Sequence, residues 1–152
     1  MQQFIIDGNN LIGKIPALHK LQKKDKQQSR IKLAFLIDNY FHNKKAKVTL
    51  HFDGFAKDAV RISHAKIVYS DKITADEKIK EQIELSKNPK KITVVTSDFN
   101  LKEFARVCSC KVISSEEFSK QLYSKKTDNE QKIIDELKNN MDEFKKLFGV
   151  DD

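Results

Sequence analysis

Short apolar runs rich in β-branched residues recur along the chain at 3–7 (QFIID), 47–53 (KVTLHFD), 65–70 (AKIVYS), 92–98 (ITVVTSD) and 111–114 (KVIS). Runs of this length and branching predict strands. Between them the apolar positions take on a helical period. Residues 29–45 bring Ile31, Leu33, Ala34, Ile37, Tyr40 and Phe41 towards one face. Residues 74–88 do the same with Ile79, Ile83 and Leu85, and 99–108 with Leu101, Phe104 and Ala105. A last stripe of Ile133, Ile134, Leu137, Met141, Phe144 and Leu147 predicts a core-facing C-terminal helix over about 130–148.

Three helix starts carry a capping box, in which a hydroxyl and a Glu side chain satisfy each other's exposed amides: Thr74-x-x-Glu77, Ser114-x-x-Glu117 and Thr127-x-x-Glu130. The polar, lysine-rich stretch 19–30 reads as a solvated surface loop.

Five strands alternating with helices predict an α/β fold with a mainly parallel sheet covered on both faces. The near-continuous apolar character of FII, VTLHF and ITVV agrees, because strands buried on both sides need not alternate. The weakest link lies between the second and third strands, where 54–64 leaves room for barely one helical turn. No repeat or low-complexity linker interrupts the 152 residues, which predicts a single domain over 1–152.

Charge narrows the partners. Lys and Arg number 29 against 22 Asp and Glu, a net charge of +7, with an isoelectric point near 9.3. Such a balance favours polyanions, nucleic acid first and acidic membrane surfaces second. No apolar run approaches the roughly 20 residues that span a bilayer. No signal peptide is visible at the N-terminus. The expected location is therefore cytoplasmic, without a membrane partner. Cys108 and Cys110 are too close for an ordinary disulfide and lack the second pair of a zinc site, so they read as reduced thiols.

The chemistry gathers at strand ends. The first strand ends on Asp7, the second on Asp53 and the fourth on Asp98, while Asp76 and Glu77 open the helix after the third. Open α/β sheets bind ligands in the crevice beyond the carboxyl ends of their strands. Each acid has a plainer explanation: Asp98 as a helix cap, Asp53-Gly54 as a turn, Asp76 at a helix dipole, Glu77 in its capping box. Asp7 is the hardest to explain away, because DGNN must leave a buried strand at this edge. Crowded carboxylates repel one another, so the set calls for a cation. Mg²⁺ or Mn²⁺ suits oxygen ligands and in-line phosphodiester displacement. Lys14, Lys57, Arg61 and Lys72 are the basic residues placed to hold an RNA backbone near that edge.

Other chemistries fit less well. Neither a P-loop nor a G-x-G-x-x-G turn is present, so no small-molecule cofactor is implied. His19, His42, His51 and His64 have no ligand spacing, and no G-x-S-x-G elbow exists. A two-component receiver would need an acidic pair after the first strand and a Lys after the fifth. The chain offers Asp7-Gly8-Asn9 and Ser114-Ser115 instead.

IIDGNNLIG (5–13), HFDG (51–54), TADEKIKEQI (74–83), VVTSDFNLKEFAR (94–106) and VISSEEF (112–118) together resemble the YacP-like NYN domain ribonucleases, within the wider PIN-like fold. The resemblance implies a three-layer α/β/α sandwich with strand order 3-2-1-4-5. It also implies a metal-dependent endoribonuclease, with RNA and the ribosome as partners. It points to Asp7, Asp76 and Asp98 as metal-binding carboxylates, to Asn10 as a residue orienting a ligand or substrate, and to Asp53 as an outer-shell acid. The family's usual DGYN reads DGNN here, so Asn9 stands in place of the aromatic. The alternative function is a non-catalytic RNA- or ribosome-binding module on the same fold. A DNA nuclease or phosphatase on that scaffold is a third reading. The sequence leaves open the oligomeric state and the number of metal ions.

Overall fold

Each of the five apolar runs forms a strand, and all five join one parallel sheet. The strands are β1 (Gln2–Asp7), β2 (Ala46–Phe52), β3 (Lys66–Tyr69), β4 (Ile92–Val95) and β5 (Lys111–Ile113), in the order β3-β2-β1-β4-β5. The computed structural model describes residues 1–57 and 60–124. The chain divides into two compact units, Met1–Leu122 and Tyr123–Asp152, and the whole sheet lies in the first. The helix predicted over 130–148, its capping box at Thr127, and the far end of the expected 1–152 domain lie outside the described residues.

Among the described residues six α-helices cover the sheet: α1 (Gly8–Lys14), α2 (Pro16–Lys24), α3 (Lys26–Tyr40), α4 (Ala75–Leu85), α5 (Phe99–Val107) and α6 (Ser115–Leu122). Side chains alternate across a strand, so neighbouring residues of β1 feed two separate cores. Ile6 packs with Leu11, Ile12, Leu18, Leu33, Ile37 and Phe118 under α1, α2, α3 and α6. Ile5 packs on the other face with Ile79, Ile83, Leu101 and Ala105 under α4 and α5. Ile5 and Ile6 are both fully buried, each contributing about 1.5–3 kcal/mol by area alone. The result is the three-layer α/β/α arrangement expected.

Two expectations need correction. The 19–30 stretch is not a loop: α2 runs to Lys24 and α3 starts at Lys26. Pro16 opens α2 at a position where its missing N–H costs nothing. Asp25 caps α3 by accepting from the Gln28 amide at 3.1 Å, and Arg30, far from solvated, is buried. Leu85, placed on the apolar stripe of α4, is 83% exposed, because the helix ends there and turns it outward. The connection from β2 to β3 crosses with no helix among its described residues, yet the strands pair in parallel, Leu50 opposite Ile67.

A candidate acidic site at the strand ends

Asp7 is both the last residue of β1 and the N-cap of α1. One carboxylate oxygen accepts from the Asn10 amide at 3.4 Å, and the other accepts from the Thr96 hydroxyl at 3.0 Å. The helix can start this close to the sheet only because residue 8 is glycine. A Cβ there would lie 2.6 Å from the His51 carbonyl oxygen and 2.6 Å from the Phe52 ring. Gly8 is thus demanded by close approach to β2 rather than by a turn, since its φ is not positive.

The next two residues brace opposite sides of the edge. The Asn9 side-chain oxygen accepts from the Asp53 amide at 2.7 Å. The Asn10 oxygen accepts from the Ser97 amide at 2.9 Å and the Ser115 hydroxyl at 2.6 Å.

On the β2 side, Asp53 turns a carboxylate oxygen to the Ala75 amide at 2.7 Å, so it caps α4 from across the edge together with Thr74. Arg30 reaches in from α3 and donates to the Asp53 carbonyl at 2.7 Å. Its guanidinium lies over the Phe52 and Tyr69 rings, 5.2 and 5.8 Å from their centroids. Burial lowers the Arg30 pKa, while Tyr69 and Asp53 oppose that shift. Asp76, on the first turn of α4, pairs with Lys80 at 3.1 Å.

On the β4 side, Thr96 is a hinge between two acids. Its fully buried hydroxyl donates to Asp7 and accepts from the Asp98 amide at 3.1 Å. Asp98 caps α5 through the Leu101 amide at 2.9 Å. Beyond it the Ser97 hydroxyl donates to Glu116 at 2.6 Å and accepts from the Ser115 amide. Lys14 pairs with the same carboxylate at 3.2 Å. Ser97's hydrogen bond, the Glu116 backbone amide and Lys14 hold this exposed acid at about 2.

Asp7 goes the other way. Burial raises its pKa to about 6, and the charges of Asp53 and Asp76 add to the rise, against the hydrogen bonds from Thr96 and Asn10. Asp7 therefore feels the charges of Asp53 and Asp76 across the edge. Asp98 is joined to them through Thr96. Among the described residues, no three His, Cys, Asp or Glu side chains are arranged as a ready-made metal cage. The donors are nonetheless all oxygens, and a carboxylate pushed up by burial and like charge is one that a hard cation would relieve. Mg²⁺ binds through one or two carboxylates, with waters and substrate phosphates filling the rest, so the chemistry of the set fits it.

Of the basic residues expected here, Lys14 lies at the edge, paired with Glu116. Lys72 lines a groove beside Asp71, while Arg61 lines a separate cleft with Ile62 and Tyr69. Lys57 is exposed on the β2–β3 connection. The roles of Thr96, Ser97, Ser115, Glu116 and Arg30 escape sequence reasoning, although Thr96 and Ser97 fall in the VVTSDFNLKEFAR stretch. Ser115 and Glu116 do fall in the VISSEEF stretch, just inside a helix start marked by Ser114 and Glu117, whose amide the Ser114 hydroxyl does cap at 3.1 Å.

A parallel sheet ordered 3-2-1-4-5, with acids at its strand ends and helix starts, defines a PIN-like α/β/α domain. The model of the YacP-like NYN domain matches residues 4–148, and the chain belongs to that family, an RNase-type domain. The fold is similar to the crystal structure of Rae1 (YacP) from Bacillus subtilis, with a TM-score of 0.70 and 21% identity over 99% of this chain and 87% of that one. A mutant of the same protein gives a TM-score of 0.69 and 20% identity over 89% of this chain and 79% of that one. None of the curated proteins matches the chain.

Proposed function

We propose that this protein is a divalent-metal-dependent endoribonuclease that hydrolyses phosphodiester bonds of RNA, free or presented on a ribosome, in the cytoplasm. The observation that carries the reading is the half-buried Asp7, held by Thr96 and the Asn10 amide at the edge where desolvation and the charges of Asp53 and Asp76 raise its pKa to about 6. Such a carboxylate is a standing cost to the fold unless the site uses it. NYN nucleases typically work with divalent metals. Asp7, Asp76 and Asp98 are the residues we assign to hold Mg²⁺ or Mn²⁺, with Asp53 outside them. When bound, the ion activates water and stabilises charge on the scissile phosphate.

The chain's own residues do the rest. Thr96 fixes the orientation of Asp7 and the start of the Asp98 loop together. Asn10 holds Ser97 and Ser115, so its oxygen is a brace of the site wall rather than a free ligand. The positive balance of the surface attracts the RNA backbone. No described helix is long and apolar enough to cross a membrane.

The test is direct: purified protein with Mg²⁺ or Mn²⁺ should cut single-stranded RNA, and a chelator should stop it. One observation favours the non-catalytic module instead: Asp53 and Asp98 both spend an oxygen on helix capping. Protein that binds RNA but never cuts it, with either metal, decides for that module.

A further inference from the structure

Phe55 lies two residues beyond Asp53 and leaves 64% of its surface in solvent. The backbone that carries it is held with unusual thoroughness. The Asp53 amide donates to Asn9, and its carbonyl accepts from Arg30, both at 2.7 Å. The Gly54 amide donates to the Ser70 hydroxyl, and its carbonyl accepts from the Asp71 amide, both at 2.9 Å. Gly54 and Asp71 adopt left-handed backbone, φ 78° and 58°, to shape this junction. Glycine and aspartate are among the residues that tolerate such a conformation best. A large aromatic displayed on a fixed stem loses little freedom when something stacks on it.

The ring borders a groove lined by Phe55, Ser70, Asp71, Lys72, Ile73 and Lys78. Two lysines beside one exposed phenyl ring, with Asp71 the single acid, make a cationic channel with an aromatic platform. The groove adjoins the acidic edge, because Gly54, next to Asp53, is hydrogen-bonded to Ser70 and Asp71 of the groove wall. Grooves of this make-up bind single-stranded nucleic acid, because bases expose their faces only when unpaired, and phosphates follow the lysines.

We propose that the groove is a subsite for single-stranded RNA: one base stacks on Phe55 while neighbouring phosphates contact Lys72 and Lys78, which feeds the strand towards Asp7. The direction of feeding rests on the nuclease reading above; the stacking does not.

The test uses the full chain and a single-stranded oligoribonucleotide carrying 2-aminopurine, in chelator so that nothing is cut. Wild type quenches the fluorescence on binding. Phe55→Tyr keeps the quenching, whereas Phe55→Leu, equally apolar but unable to stack, loses it and binds roughly ten-fold more weakly. Replacing Lys72 and Lys78 by Gln flattens the dependence of log affinity on log salt by up to about 1.4, at about 0.7 per phosphate contact. A Phe55→Leu variant that binds and quenches like wild type overturns the subsite. Adding Mg²⁺ separates the two ideas. Quenching through Phe55 without any cutting sinks the nuclease reading and leaves the subsite standing. Cutting with kcat and KM unchanged in Phe55→Leu sinks the subsite and leaves the nuclease.

Discussion

Asn9 and Asn10 are adjacent, identical in chemistry, and serve opposite halves of the sheet. Asn9 reaches towards β2 and holds the Asp53 amide, on a half organised by charge and aromatic faces: Arg30, Phe52, Tyr69, Asp76. Asn10 reaches towards β4 and β5 and collects two donors from a half organised by hydroxyls: Thr96, Ser97, Ser115. Both asparagines act as braces, and Asp7 is left between the halves with the least favourable electrostatics of the three. The Asn9 amide oxygen ties the helix start to the loop that carries Phe55.

The contrast can be tested by removing its parts, the most damaging first. Gly8→Ala strikes the shared foundation, since the added methyl meets backbone and ring atoms of β2 that cannot easily move. It should cost roughly 1–3 kcal/mol or more in denaturant unfolding; an unchanged midpoint would mean that α1 sits further from β2 than described. Asn10→Ala comes next at about 1–3 kcal/mol, because the Ser115 hydroxyl it abandons is fully buried. Asn9→Ala should cost less, about 0.5–1 kcal/mol, as the Asp53 amide it leaves can find water. If Asn9 proves the costlier of the pair, the charged half of the edge, not the hydroxyl half, is the rigid one.

The strands, both capping residues Asp98 and Thr74, and the gathering of acids at one edge were legible in the sequence, because each rests on local pattern. Helices α1 and α2 were not. Gly8, Asn9 and Asn10 are poor helix formers that read as turn chemistry, and the helix they begin is held by burial of Leu11 and Ile12. The role of Asn9 depends on a partner 44 residues away, and the burial of Arg30 on rings from two other strands. No local spacing announces such pairings. The crowding of the acids was legible, but their tethering was not: Asp53 turns to Ala75 and Asp76 to Lys80.

Above neutral pH, Asp7 is a carboxylate the fold would be more stable without. Its pKa rises from 3.8 to about 6 on folding, so the folded protein holds a proton over that interval that the unfolded chain has released. The stability tied to this group is complete below pH 3.8 and is lost as the pH climbs through 6. At pH 8 the ionised group costs on the order of 2–3 kcal/mol. Asparagine keeps the cap with its single side-chain oxygen and removes the charge, while its NH₂ faces the Thr96 hydroxyl, which can turn to accept from it. The most direct measurement is therefore Asp7→Asn at pH 8, melted without metal and assayed with Mg²⁺ on single-stranded RNA. The variant should melt higher than wild type, by roughly 5 °C or more, and cut nothing. A variant that melts lower, or cuts as fast as wild type, contradicts the account.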